Sequence, residues 1–258
     1  LQSVALLTAL NVSKLKIGSG DVSNAMLLLK ASQTGKDIIL STGMSTLKEI
    51  EQALGVIAFG YLYLNTGPAP CLNSFNEVYN SEQGQACLRE KVALLHCTTE
   101  YPAPFEDVNL RAMDTLKSTF GLKVGYSDHT RGIAVPIAAA AMGAQVIEKH
   151  FTLDRDLPGP DHKASLEPDE LKSMVESIRQ VEKVMGSGDK KPAPAELKNI
   201  PIARRSLVAL KRITEGEVFT IDNLGAKRPG TGISAIYYYD WLGKAAQRNY
   251  EPDELLVP

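Results

Sequence analysis

The chain has 258 residues, enough to bury a substantial core as one large domain or two smaller ones. Apolar residues at 44% and charged residues at 22% give an ordinary globular composition, and a net charge of −2 supplies neither the basic field of a nucleic-acid binder nor an attraction to anionic membranes. No apolar stretch approaches the ~20 residues of a membrane span, and Cys71, Cys87 and Cys97 form an odd set without metal spacing, which reads as a reducing, cytoplasmic setting.

The opening "LQSVALLTALNVSKLKIGSGD" reads as the tail of a helix running into a strand. With Leu1 in first place, the expectation is a chain that starts inside a larger domain. "KLKIGSG" is strand-like and ends in glycines, and "NAMLLLKASQTG" is a helix stopping at Gly35. "DIILSTGM" is a continuous apolar strand of the kind buried on both faces of a parallel sheet. The helix after it starts on a capping box, Thr46 with Glu49, and carries Leu47, Ile50, Leu54 and Ile57 on one face. Residues 59–91 break the rhythm with a long segment whose carboxyl half has helical character and whose role the sequence leaves open.

Then come strand "VALLHCTT", helix "NLRAMDTLKSTFG", strand "LKVGYSD", helix "GIAVPIAAAAMGA" and strand "QVIEKHFTL". A last helix over 169–185 aligns Leu171, Met174, Val175, Ile178, Val181 and Met185 in one stripe. Five βα units in series predict an α/β fold with a parallel sheet, read as a partial (β/α) barrel over residues 1–186. Three further units of roughly 30 residues each would be needed to close eight strands; an open doubly wound sheet is the alternative. Either way, the polar and glycine clusters after each strand (GSGD, STGM, CTTEYP, YSDHT, EKHF) share the sheet's C-terminal edge, where ligands bind. Residues 187–199, within "GSGDKKPAPAELKN", read as a linker. Residues 200–258 then turn to short strands, and "KRITEGEVF" at 211–219 is echoed by "RNYEPDELL" at 248–256. The echo predicts a small, pseudo-symmetric β-rich domain, with "YYYDW" at 237–241 in its core.

His129 and His150 follow consecutive strands, one ladder spacing of ~4.8 Å apart. Two neutral imidazoles so placed can share one divalent cation, the remaining positions going to water or substrate oxygen. Each also has an acid beside it in the chain, Asp128 and Glu148. Taken singly, either histidine is better explained as a hydrogen-bonded strand-end residue. Lys16 and Ser19 in "KIGSG" and Ser41 in "LSTGM" offer a point charge, hydroxyls and open backbone N–H groups, the donors a phosphate needs. Lys16 equally suits a Schiff-base pyruvate aldolase. His96 reads as a satisfied core histidine and Cys97 as packing, while His162 faces either substrate or solvent.

Together, "KIGSGD", "ILSTGM", "LLHCTTEYPAP", "GYSDHT", "EKHFTLDRDLPGPDHKASLEP" and "KRPGTGI" closely resemble the sialic acid synthases over nearly the whole chain. Those transferases condense phosphoenolpyruvate with N-acetylmannosamine, or with related N-acyl amino sugars in the legionaminic branch. The resemblance implies a (β/α)8 TIM-type barrel followed by a small antifreeze-like (SAF) domain, with the first three βα units not contained in this sequence. It implies that His129 and His150 are metal ligands, for manganese or alternatively magnesium or cobalt. It assigns Lys16, Ser19, Ser41 and Ser127 to phosphoenolpyruvate, and Tyr101, Glu148 and Asp161 to the sugar. Glu148 would also manage protons. Thr99 stands where some members have Asn. Arg228 in "KRPG" resembles an arginine inserted into the partner subunit's site, which implies a homodimer with swapped small domains. The rival readings are the Lys16 aldolase and a catalytically inactive fragment serving as a dimerisation module.

Overall fold

A computed structural model describes residues 1–64 and 67–257, in two compact units, Leu1–Ser187 and Gly188–Pro258. In the first unit, helix α1 (Gln2–Ala9) leads into β1 (Lys14–Ile17), followed by α2 (Ala25–Ser32), β2 (Asp37–Ser41) and α3 (Leu47–Leu62). Then come α4 (Leu72–Tyr79), α5 (Glu82–Lys91), β3 (Val92–His96), α6 (Ala112–Phe120), β4 (Lys123–Asp128), α7 (Ala134–Ala141), β5 (Ile147–Lys149) and α8 (Pro168–Met185). All five strands are parallel and lie in chain order. Sequential order, with no reversal of direction across the sheet, is barrel topology; a doubly wound sheet would contain a switch point.

Strand alternation sorts the side chains into two rows. Leu15, Ile17, Ile38, Leu40, Val92, Leu94, Val124 and Tyr126 join the buried cluster under the helices. Lys16, Ser41, Cys97, Ser127 and Glu148 alternate with these and belong to the opposite, concave row.

Helix boundaries follow local chemistry. The Asn24 side chain accepts from the Leu27 N–H at the start of α2, and Thr46 and Glu49 form a reciprocal capping box on α3. The predicted stripe on α3 holds for Ile50, Leu54 and Ile57, whereas Leu47 in the first turn is exposed. Burial on α3 extends to Ala53, Val56, Ala58 and Phe59, because α2 packs on one side and α4 and α5 on the other. The long 59–91 segment, of which residues 65 and 66 lie outside the described residues, begins with the end of α3 and carries α4 and α5, both packed on α3, with Phe75 of α4 edge-on to Phe59 at 5.1 Å. On α8 only Met174 of the predicted stripe is buried, while Val175 and Met185 stay exposed.

The second unit holds α9 (Pro194–Leu197), α10 (Ile200–Ala203), β6 (Ser206–Ala209), β7 (Leu224–Lys227) and α11 (Tyr238–Trp241). The stretch read as a linker thus carries a helical turn. The two echoed segments pair with each other across an approximate two-fold axis. Ile213 and Tyr250 exchange backbone hydrogen bonds, each 2.9 Å. Glu217 Oε2 accepts from Thr214 N–H at 3.0 Å, and Glu254 Oε2 from Glu251 N–H at 2.8 Å. Gly216 (φ 84) and Asp253 (φ 67) occupy matching left-handed positions. The "YYYDW" stretch is only partly core: Tyr238 and Trp241 pack on Phe219 and its neighbours, while Tyr237 and Tyr239 are exposed.

Candidate active site

The concave row converges at the C-terminal ends of the five strands. The register pairs Ser127 with Glu148 and Asp128 with Lys149, so the next residues, His129 and His150, come level with each other. Their rings stand 5.5 Å apart, centroid to centroid, at 62°. His129 Nδ1 lies 2.6 Å from the carbonyl of Thr98. A carbonyl only accepts, so Nδ1 carries the proton and Nε2 keeps its lone pair. Burial pulls the His129 pKa below the usual histidine value, opposed by the Thr98 hydrogen bond and reinforced by the neighbouring His150. A neutral ring with an open Nε2 is the form that ligates metal. The Tyr101 ring covers the pair, 4.2 Å from His129 and 5.4 Å from His150. Asp161, at the start of a short 3-10 turn, places Oδ2 4.0 Å from His150 Nδ1.

Beside the imidazoles, Ser127 Oγ donates to Glu148 Oε1 at 2.7 Å and lies 3.5 Å from His129 Nε2. The same carboxylate oxygen is 3.3 Å from Lys16 Nζ. Ser19 Oγ and Thr99 Oγ1 are 3.1 Å apart. Ser41 Oγ is buried and, beyond the adjacent Cys97 thiol, has no hydrogen-bond partner among the described residues. A buried hydroxyl without a partner is costly, and a ligand oxygen would satisfy it. Lysine, two serines and an orphaned hydroxyl therefore suit an anionic oxygen-rich substrate.

The predicted residues Lys16, Ser19, Ser41, Thr99, Tyr101, Ser127, His129, Glu148, His150 and Asp161 thus all belong to one unit, on neighbouring strand ends and their loops. Arg228 belongs to the second unit, where its Nε donates to the Ala203 carbonyl at 3.1 Å. His96 is on the helix-facing row, its Nε2 2.8 Å from the Val108 carbonyl, and burial lowers its pKa. His162 Nδ1 engages Thr152 Oγ1 at 2.7 Å.

Two placements were not read from the sequence, although Cys97 itself was read as packing. Asp128 is not a partner of the imidazole pair: alternation sends it to the other face, where Lys149 meets it. The Cys97 thiol lies under the site beside Gly43, Ser41, Ser19 and Lys16, and burial pushes its pKa up, so it stays a protonated packing group. A metal needs fixed, deprotonated donors with oriented rings. His129, its Nδ1 held by the Thr98 carbonyl and its pKa lowered, meets that description, and the His150 ring stands beside it. Among the described residues no cluster of three or more His, Cys, Asp or Glu is present. No helix among the described residues is long and apolar enough to cross a membrane.

The family model described as the NeuB family matches residues 1–190, and the SAF domain model matches residues 204–258. The chain is 52% identical to an N,N'-diacetyllegionaminic acid synthase of Campylobacter jejuni over 99% of its own length and 69% of that protein's. It is 43% identical to an N,N'-diacetyllegionaminic acid synthase of Legionella pneumophila, covering 99% of this chain and 65% of the relative. Among solved structures it resembles an N-acetylneuraminic acid (sialic acid) synthetase from Leptospira borgpetersenii in complex with citrate, with TM-score 0.61 and 35% identity, covering 78% of this chain and 60% of that one. The chain thus spans about two thirds of the length of the curated relatives it matches. With a barrel-type parallel sheet followed by a small antiparallel unit, the chain belongs to the NeuB family and carries a SAF domain at its C-terminal end.

Proposed function

We propose that this protein is a carbon–carbon bond-forming transferase that condenses phosphoenolpyruvate with an N-acyl amino sugar of the N-acetylmannosamine type, giving a nonulosonic acid and phosphate. The observation that carries the reading is the imidazole pair, 5.5 Å apart, standing beside the Lys16–Glu148–Ser127 cluster at the strand ends. In that reaction carbon 3 of phosphoenolpyruvate attacks the open-chain aldehyde, water adds at carbon 2, and phosphate departs with the bridging oxygen. Lys16, Ser19 and Ser41 hold the phosphate and carboxylate oxygens, and the orphaned Ser41 hydroxyl gains its partner when substrate binds. Glu148, oriented by Ser127 and Lys16, is placed to take or return a proton at the sugar. Tyr101 and Asp161 position the acceptor. His129 and His150 would hold a divalent cation such as Mn2+, which when bound supplies Lewis-acid polarisation of the aldehyde oxygen.

Lys16 faces a carboxylate at 3.3 Å. A Schiff-base lysine is activated instead by apolar surroundings or a second cation, so the condensation reading is favoured over the aldolase. Arg228 is assigned to closing the site of a second copy in a homodimer, and with its three thiols free the protein is assigned to the cytoplasm. The test is incubation with phosphoenolpyruvate and either N-acetylmannosamine or its diacetylated analogue, with mass-spectrometric detection of the nine-carbon product. A borohydride-trapped pyruvate adduct on Lys16, without that product, would replace this reading with the aldolase.

A further inference from the structure

Behind the imidazole pair, on the helix-facing side of the sheet, a second polar cluster is closed off from solvent. Lys149 Nζ lies 2.6 Å from Asp128 Oδ2, and the two side chains are 2% and 0% exposed. The same ammonium donates to the carbonyl of Thr130. Asp128 also accepts from the Thr130 backbone N–H at 3.0 Å and from its hydroxyl at 3.1 Å. Asp128 and Thr130 bracket His129 in the chain, and Lys149 stands between Glu148 and His150. One ammonium therefore ties both flanks of the first imidazole to the residue that precedes the second.

Such a pair adds little stability over apolar side chains of the same volume, because desolvating two charges offsets their attraction. What it adds is direction. An ammonium held by one carboxylate oxygen and one carbonyl tolerates little sliding of one strand end past the other, whereas an apolar contact tolerates much. Strand β5 is three residues long and pairs with β4 at three positions, and so short a ladder leaves much of the registration of the two strand ends to side chains.

We infer that Lys149 and Asp128 are positioning residues that set the separation and orientation of His129 and His150, and through them the affinity of the pair for a divalent cation. The inference rests on the metal reading given under Proposed function.

The test is titration of the full chain with Mn2+, following free Mn2+ by electron paramagnetic resonance, alongside thermal melting of each variant. Lys149→Met is expected to weaken Mn2+ binding about 10–100-fold, the range typical of lost outer partners, and to lower the melting temperature. The double variant Asp128→Leu with Lys149→Met is expected to regain melting temperature while Mn2+ binding stays weak. A double variant that binds Mn2+ like the unsubstituted chain overturns the inference. So does one that melts as low as Lys149→Met, since the pair is then an ordinary stability element. Failure of the unsubstituted chain to bind Mn2+ overturns the metal reading itself, and this inference falls with it.

Discussion

His129 Nδ1 and the carbonyl of Thr98 are 2.6 Å apart, and that one hydrogen bond decides which nitrogen of the ring faces the site. The loop after β3 thereby orients an imidazole carried at the end of β4. Glu148, one strand further on, is oriented by Ser127 from β4 in the same way. Each of these side chains is aimed by a neighbour on the adjacent strand or the loop that follows it, which is how a parallel sheet turns register into site geometry.

Removing the imidazole should cost more than removing an outer partner. His129→Ala is expected to lower kcat/KM by more than about 100-fold, beyond the 10–100-fold range of outer-partner losses, with the far-ultraviolet circular dichroism unchanged. Near-native activity in this variant would remove His129 from the chemistry.

Glu148→Gln keeps the shape of the carboxylate and loses its charge and basicity. A fall in kcat of about 100- to 10,000-fold is expected if Glu148 moves a proton. A rise in KM for phosphoenolpyruvate with kcat preserved would instead limit it to holding Lys16.

Gly43 floors the site. A Cβ there would stand 2.5 Å from Thr99 Oγ1 and 2.8 Å from Cys97 Sγ, both part of the polar cluster. Gly43→Ala is expected to cost about 1–3 kcal/mol of stability through overpacking and to raise KM for phosphoenolpyruvate. Gly84→Ala is the contrasting case. Its Cβ would meet the Val78 carbonyl oxygen at 2.0 Å, in the α4–α5 pair. It should lower the melting temperature while leaving activity per folded molecule unchanged. Loss of activity without loss of stability there would give the 59–91 segment a direct role in the site.

Burial lowers the pKa of both His96 and His129 below the ordinary 6.5. The unfolded chain then takes up protons at a higher pH than the folded chain does. Their contribution to stability is complete above pH 6.5 and is lost as pH falls through the lowered values. Urea midpoints measured across pH 5–8 should decline on the acid side of 6.5, and His96→Gln should flatten that decline. An unchanged slope in His96→Gln would place the titration elsewhere.

Much of this was legible in the sequence because it is local or periodic. The "DIILS" and "VALLH" runs, the Thr46–Glu49 box and the echo between 211–219 and 248–256 each predict their own geometry. The imidazole pair follows from two strand ends and a ladder spacing. Less legible was what depends on partners far along the chain. Asp128 seemed to stand by His129 because it adjoins it in sequence, yet the two-residue strand period already sends the two to opposite faces. That alternation was the available signal for Lys149 as well. The α4 helix hid because its N-cap is Cys71, whose sulfur accepts from the Ser74 N–H, in place of the usual Ser, Thr, Asp or Asn. The α8 stripe was correctly periodic, but burial depends on what covers it, which a local pattern does not encode.

The most direct measurement is condensation activity with phosphoenolpyruvate and N-acyl amino sugar after stripping the protein with chelator, then after adding back Mn2+. The account predicts that activity vanishes on stripping, returns with Mn2+ in the unsubstituted protein, and does not return in His129→Ala or His150→Ala. Full activity in the presence of excess chelator, or recovery by Mn2+ without either imidazole, would contradict it.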